Sequence, residues 1–380
     1  MKSIVILGST GSIGTQCLDV IRQHKDRFRV LGLAAGTNGR LLAKQVEEFR
    51  PQVCGLVEAK EPLPLPANWD GGFLSGPDVL STLATLPGAD MVVVATVGAT
   101  GLDPTLQAIA SGKDIAIANK EVLVMAGELA IAEARKHAVR LLPIDSEHSA
   151  VLQCLTAGRR EDVQSIILTA SGGPFRRWDM ERIPYATPED ALAHPTWDMG
   201  PKITIDSATM FNKGLEIIEA HHLFDLPVER IRVLIHPQSI VHSMVEYCDG
   251  SVIAQLGTTD MRTPIQLALS YPERLSAPAE PLDLAQLAEL EFLEPDMERY
   301  PCLELARDAA HTGGTMPAFL SVVNEELVAA FLGHRIGFGA IPDLMAQAME
   351  RHTPIRDYSL QTIHETDREA RMVARGLMGG

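Results

Sequence analysis

The stretch Ile4-Val5-Ile6-Leu7-Gly8-Ser9-Thr10-Gly11-Ser12-Ile13-Gly14 decides how the first part of the chain folds. Four consecutive apolar residues, Ile4 to Leu7, match a strand buried on both faces. Beyond the glycines, Ile13, Cys17, Val20 and Ile21 recur at three- and four-residue spacing and make one face of a helix. Strand, glycine turn and helix in that order present free N–H groups at a helix N-terminus, where a pyrophosphate can settle. The spacing is G-x-x-G-x-x-G rather than G-x-G-x-x-G, and a glycine triplet alone also fits a tight turn that binds nothing. The strand before it and the helix after it favour the dinucleotide.

Outward from that turn, β-branched runs predict strands near residues 30–34, 53–57, 91–95, 115–118 and 141–144. Helical patterns lie between several of them, at residues 41–49, 102–110 and 122–137. Such alternation predicts an α/β fold whose N-terminal domain, residues 1–144, is a Rossmann-like doubly wound parallel sheet. The pattern then changes. Strands are expected near residues 166–169, 203–205, 233–235 and 251–256, separated by longer loops, which makes residues 145–270 a central α+β domain. Its loop at about 172–200 holds four prolines and two tryptophans with no long apolar period, and a loop of that length is a candidate lid. Residues 271–300, rich in proline, read as a linker. Phe319, Val323, Leu327 and Phe331 share a helical face within a C-terminal helical domain, residues 301–380.

Composition narrows the function. Hydrophobic residues make up 46% and charged residues 22%, within the ordinary globular range. Acidic residues outnumber basic ones by 49 to 33, a net charge of −16, so recognition of nucleic acid through a broad basic surface is not expected. No apolar run reaches the roughly 20 residues of a membrane span. The N-terminus reads as a first strand rather than a secretory signal. Five widely spaced cysteines without a C-x-x-C pair argue against a disulfide framework, and the expected compartment is cytoplasmic.

A second constellation suggests a metal. Asp145-Ser146-Glu147 follows the strand expected at residues 141–144, and in extended backbone residues two apart point the same way. Two converging carboxylates suit Mg²⁺ or Mn²⁺, which take oxygen ligands. An acid capping a helix is the alternative reading. Further on, Asn212 and Glu216 stand at i and i+4 of an expected helix, with Lys213 three residues before Glu216. Thr169-Ala170-Ser171-Gly172-Gly173 places a serine and two glycines after a strand, and serine hydroxyls, loop N–H groups and a lysine are what a phosphate monoester needs. His221, His222, His236 and His242 read as structural. The second strand ends Ala34-Ala35-Gly36-Thr37-Asn38-Gly39-Arg40 without the acid that would bind an NAD ribose, which favours NADPH with Arg40 nearby; a merely solvated Arg40 is the alternative.

These residues resemble the 1-deoxy-D-xylulose 5-phosphate reductoisomerase family nearly end to end. The resemblance is carried by residues 8–14, Ala118-Asn-Lys-Glu121, Asp145-Ser-Glu147, residues 169–175 and His194-Pro-Thr-Trp-Asp-Met-Gly200. It continues through residues 202–210, Asn212-Lys-Gly-Leu-Glu216, His236-Pro-Gln-Ser239, Asp260-Met-Arg-Thr-Pro264 and Pro301-Cys-Leu303. It implies Asp145, Glu147 and Glu216 as ligands of a divalent cation, Mg²⁺ or Mn²⁺. Ser171, Ser207, Asn212 and Lys213 would grip the phosphate of a small phosphorylated sugar, and Lys120, Ser146, Glu147 and Glu216 would hold the rest of it. His194 and Trp197 would tip the lid, with Lys120, Glu147 and His194 as the catalytic group.

The implied cofactor is NADPH, contacted by Thr10, Gly11, Ser12, Ile13, Gly36, Asn38, Asn119, Glu121 and Gly200, to which the direct reading adds Thr37 and Arg40. Met199 and Met261 would pack near the nicotinamide. The implied reaction is rearrangement and reduction of 1-deoxy-D-xylulose 5-phosphate to 2-C-methyl-D-erythritol 4-phosphate by a homodimer with no nucleic-acid or membrane partner. Thr37, Phe211 and Val323 depart from the family pattern, and the first bears on cofactor affinity. A metal-free NADP-dependent sugar dehydrogenase and a catalytically dead dinucleotide sensor are the competing readings.

Overall fold

The structure, a computed structural model, describes every residue except Pro62, Asp198, Ala288 and Gly380. The chain forms two compact units. One comprises Met1–Val122, Ala130–Ser149 and Asp260–Glu280; the other comprises Leu123–Leu129, Ala150–Thr259 and Pro281–Gly380.

In chain order the first elements are β1 (Lys2–Leu7), α1 (Ser12–Gln23), β2 (Phe28–Ala35), α2 (Gly39–Phe49), β3 (Val53–Leu56) and β4 (Gly72–Ser75). There follow α3 (Val79–Ala84), β5 (Met91–Val94), α4 (Leu102–Ala110), β6 (Asp114–Ile117), α5 (Glu121–His137), β7 (Leu141–Pro143) and α6 (Ser146–Cys154). Among the described residues the seven strands order β4-β3-β2-β1-β5-β6-β7, and every pairing is parallel. The order reverses between β1 and β5, so the carboxyl end of β1 lies at the topological switch point where doubly wound sheets bind ligands. Ile4 to Leu7 are wholly buried, as a strand covered on both faces requires. β4 was not anticipated: it is a short, mostly exposed edge strand with little apolar signal.

The second unit holds β8 (Val163–Ala170), α7 (Pro188–Leu192), α8 (Pro201–Ala208), α9 (Phe211–Phe224), β9 (Ile231–Ile235), β10 (Val241–Tyr247) and β11 (Val252–Leu256). α10 (Arg262–Ser270) belongs to the first unit. The chain ends in α11 (Pro301–Thr312), α12 (Met316–Leu332), α13 (Ala340–Met349) and α14 (Leu360–Leu377), a helical C-terminal region. The second sheet orders β11-β10-β8-β9; β8 pairs parallel with β9 and antiparallel with β10. Ile166 and Leu168 of β8, Val233 of β9, Ile217 and Phe224 of α9, and Tyr300 and Leu303 share one core. α9 and α11 approach so closely that a Cβ on Gly214 would fall 2.2 Å from the Ala306 Cβ.

Two expectations are corrected here. Residues 203–205 are not a strand but the middle of α8. Gly200 supplies an extended N-cap and Pro201 fills the first helical position, where its missing N–H costs nothing, and this start outweighs the β-branched Ile-Thr-Ile run. Asp145 and Glu147 do not share the face of a strand either: α6 begins at Ser146, and the Glu147 N–H donates to Asp145 Oδ1 at 3.2 Å. The helix-capping reading of Asp145 therefore describes the local geometry.

Candidate active site

In the first unit the glycine turn is built from backbone. Gly8 adopts φ +89, and a Cβ there would lie 2.3 Å from the Ala95 carbonyl oxygen, so no other residue fits. The N–H groups of Gly8 and Ser9 both donate to Ala34 O at 2.9 Å, pinning the turn to the end of β2. Gly11 caps α1 in extended conformation with no side-chain cap bond, and the first turn carries no acid. Gly11 and Ser12 are exposed, and Thr10 and Ile13 half-buried. The N-terminal donors of α1 are thus left for an anion. Ser9 and Gln45 brace the turn from beneath: Ser9 Oγ donates to Gln45 Oε1 and Gln45 Nε2 donates to Ser9 O, both at 2.8 Å. Gln45 was missed in the sequence, where a polar residue on α2 carries no signal of burial.

At the end of β2, Gly36, Thr37, Asn38 and Arg40 are exposed. Asn38 caps α2, accepting from Leu41 N at 3.2 Å, and Arg40 stands in the first turn of that helix. Asn119 is buried; its Nδ2 donates to the carbonyls of Thr96 and Gly98, and its Oδ1 accepts from Val122 N. Its side chain is occupied in joining the loop after β5 to the start of α5. Glu121 opens α5 and Gly200 caps α8.

Lys120, Asp145, Ser146 and Glu147 come together in this unit. Lys120 Nζ donates to Asp145 Oδ2 at 2.6 Å, both side chains being at most 10% exposed, and Ser146 Oγ donates to Glu147 Oε2. Burial opposes the ionised Asp145, but the Lys120 ammonium and His148, whose Nδ1 lies 3.3 Å from Asp145 Oδ1, outweigh it and hold the carboxyl well below the usual carboxylate range. The Asp145 and Glu147 carboxylates offer oxygens within 4.8 Å of each other.

In the second unit Ser171, His194 and Ser207 form one cluster. His194 Nδ1 accepts from the N–H groups of Trp197, at 3.0 Å, and Thr196, at 3.3 Å. The ring hydrogen therefore sits on Nε2, which faces Ser171 Oγ at 3.0 Å and Ser207 Oγ at 3.1 Å. Burial lowers the His194 pKa to about 4, so the ring is neutral near pH 7. Gly173 N also donates to Ser171 Oγ, and Gly173, at φ +65, packs where a Cβ would meet Ser207 O at 2.8 Å. Both serine oxygens already accept hydrogens, which leaves their own O–H groups to donate. On α9, Asn212 Nδ2 and Lys213 Nζ each donate to the Glu216 carboxylate at 2.5 Å, and Lys213 and Glu216 are buried. Trp197 lies beside His242, with ring centroids 6.3 Å apart. Asp198 of the lid motif is outside the described residues.

Other supports had no sequence signal. Tyr300 OH donates to Gly172 O at 2.8 Å, and Arg299 donates to the carbonyls of Phe175 and Trp178. His221 and His236 bond backbone carbonyls, of Leu226 and Glu291, and the His222 ring packs close against Gly127.

Comparison with known proteins decides the family. A relative from Chlorobium chlorochromatii, a 1-deoxy-D-xylulose 5-phosphate reductoisomerase, is 53% identical over 378 residues, covering 99% of each chain. The chain belongs to the 1-deoxy-D-xylulose 5-phosphate reductoisomerase family. The family's sequence models agree: 1-deoxy-D-xylulose 5-phosphate reductoisomerase matches residues 4–127, its C-terminal domain residues 141–224, and DXP reductoisomerase C-terminal domain residues 256–373. A family member from Zymomonas mobilis, solved in complex with NADPH, superposes with a TM-score of 0.93 at 44% identity, covering 99% of both chains. A second DOX-P reductoisomerase structure, with NADPH, fosmidomycin and magnesium, gives 0.93 at 41% identity over 100% of this chain and 98% of that one.

Proposed function

We propose that this chain converts 1-deoxy-D-xylulose 5-phosphate to 2-C-methyl-D-erythritol 4-phosphate, using NADPH and a divalent cation. The family match along the whole length carries this reading. The residues fit the groups it requires. Asp145 and Glu147 supply close, hard oxygen donors, and Lys120 keeps Asp145 ionised. The uncapped, acid-free start of α1 suits a pyrophosphate, and the acid-free end of β2 leaves room for a 2′-phosphate.

When bound, the cation would act as a Lewis acid on the substrate's oxygens and the nicotinamide would supply hydride. Asp145, Glu147 and Glu216 would hold the cation. Ser171, Ser207, Asn212 and Lys213 donate to the phosphate, the two serines with hydrogens directed by neutral His194. Ser146 and Lys120 orient the sugar oxygens. His194 and Trp197 exclude water once the substrate is seated. Thr10, Gly11, Ser12, Ile13, Gly36, Thr37, Asn38, Arg40, Glu121 and Gly200 contact NADPH, and Asn119 does so through its backbone. The working form is a cytoplasmic homodimer. Five free cysteines support the compartment, and among the described residues no helix is long and apolar enough to cross a membrane.

The test is oxidation of NADPH with 1-deoxy-D-xylulose 5-phosphate, repeated after chelation and after restoring Mg²⁺ or Mn²⁺. Turnover that ceases on chelation and returns with metal is expected. Turnover indifferent to chelation would favour the metal-free dehydrogenase, and no oxidation at all the dead sensor. Sedimentation of the whole chain reads the dimer.

A further inference from the structure

α8 carries Ser207 and starts where the lid ends, yet its charges oppose its own stability. Lys202 lies in the first turn, at the positive pole of the helix dipole, and Asp206 in the last, at the negative pole. Their i,i+4 ion pair, 2.6 Å long, runs from lysine to acid, the weaker order for such pairs. Asp206 is also 1% exposed, so its desolvation adds a further cost.

Its second partner comes from 118 residues away: Asn324 Nδ2 of α12 donates to Asp206 Oδ1 at 2.8 Å. Asn324 is wholly buried, and among the described residues its Oδ1 finds no hydrogen-bond partner. An orphaned buried acceptor destabilises a fold, so a polar pair of this kind is poorly explained as a source of stability. What the pair does fix is orientation. With Lys202 on one side and Asn324 on the other, the Asp206 carboxylate has one direction available, and the next residue is Ser207.

We infer that Asp206, clamped by Asn324, is a positioning residue: it pins α8 to α12 so that Ser207 meets the substrate phosphate as the adjoining lid moves. The inference rests on the function proposed above for Ser207. Neither Asp206 nor Asn324 needs to touch substrate. The effect acts on phosphate affinity and leaves the cofactor site alone.

The experiment compares wild type with Asn324→Ala and with the exchanged pair Asp206→Asn/Asn324→Asp, on the full chain. Asn324→Ala should raise KM for 1-deoxy-D-xylulose 5-phosphate and weaken inorganic phosphate in parallel, by roughly tenfold for a lost hydrogen bond to a charged group. The NADPH dissociation constant should not change. The exchanged pair restores an amide donating to a carboxylate and should recover most of the phosphate affinity, even where Asn324→Ala fails to fold. A lower Tm with unchanged KM and phosphate affinity, or an exchanged pair no better than the single variant, overturns the inference. The function reading fails separately, through absence of NADPH oxidation in wild type.

Discussion

The glycine turn of the first unit and the serine and lysine groups of the second, the two candidate phosphate sites, are constructed by opposite means. The turn is made of backbone: Gly8 folds tightly against Ala95, and the start of α1 is capped by no side chain. The cluster is made of side chains that have found one another: His194 lies on Ser171 and Ser207, and Lys213 and Asn212 on Glu216. A backbone site is set once its strand and helix form. A side-chain site stays satisfied until a ligand outcompetes its internal bonds, so part of the binding energy goes into exchanging partners.

The sharpest way to break this comparison is at Glu216, which accepts from Asn212 and Lys213 and which the proposed function makes a metal ligand. Glu216→Gln should lower kcat/KM by more than about 100-fold, beyond the usual loss for a group merely supporting a metal ligand, with the fold intact by circular dichroism. Near-normal turnover at low Mg²⁺ would falsify the ligand assignment. Next is Lys213→Ala, expected to weaken substrate and phosphonate analogues by about 10- to 100-fold through loss of a charge-assisted contact. NADPH affinity should hold. Calorimetric titrations showing NADPH weakened and substrate untouched would move the lysine to the other site.

A smaller effect is expected on the backbone side. Arg40 is exposed and outside the turn, so Arg40→Ala should cost NADPH about tenfold and spare NADH, since only the former carries a 2′-phosphate. Equal losses for both cofactors would make Arg40 a solvated helix residue. The smallest effect is a titration. The His194 ring should protonate with a midpoint of about 4, against an ordinary value near 6.5. Because the folded pKa is depressed, the stability linked to neutral His194 is full above about pH 6.5 and drains away as pH falls toward 4. Imidazole NMR shifts across pH 3–8 read the midpoint; a value near 6.5 would mean that His194 is not held between the serines.

The same contrast governs what could be read from the residues alone. The Gly8–Gly14 turn was legible because strand, glycines and helix are contiguous and each has a local physical reason. The candidate phosphate residues were legible as types, and their proposed roles come from the resemblance. Their arrangement was not: the β-branched run at residues 203–205 looks like a strand until Pro201 and the buried Asp206–Asn324 bond are known, and that bond joins residues 118 apart. Asp145 and Glu147 were chosen correctly as a close carboxylate pair, but by strand alternation, where the chain instead turns into a helix. Gln45, Tyr300 and Arg299 left no trace, because a polar side chain that ends buried against a distant carbonyl looks no different in sequence from one facing water.

The near-contact of Gly214 with Ala306 carries a consequence for how this sequence can vary. Gly214 lies between Lys213 and Glu216, so a methyl group added there would push α9 from α11 and shift both candidate side chains with it. The two positions share one fixed volume. Drift at either should be limited to the smallest residues, and Gly214→Ala should be tolerated best in a background already carrying Ala306→Gly. A library randomised at both sites and selected for growth would reveal that linkage as pairs, enriched together and depleted singly.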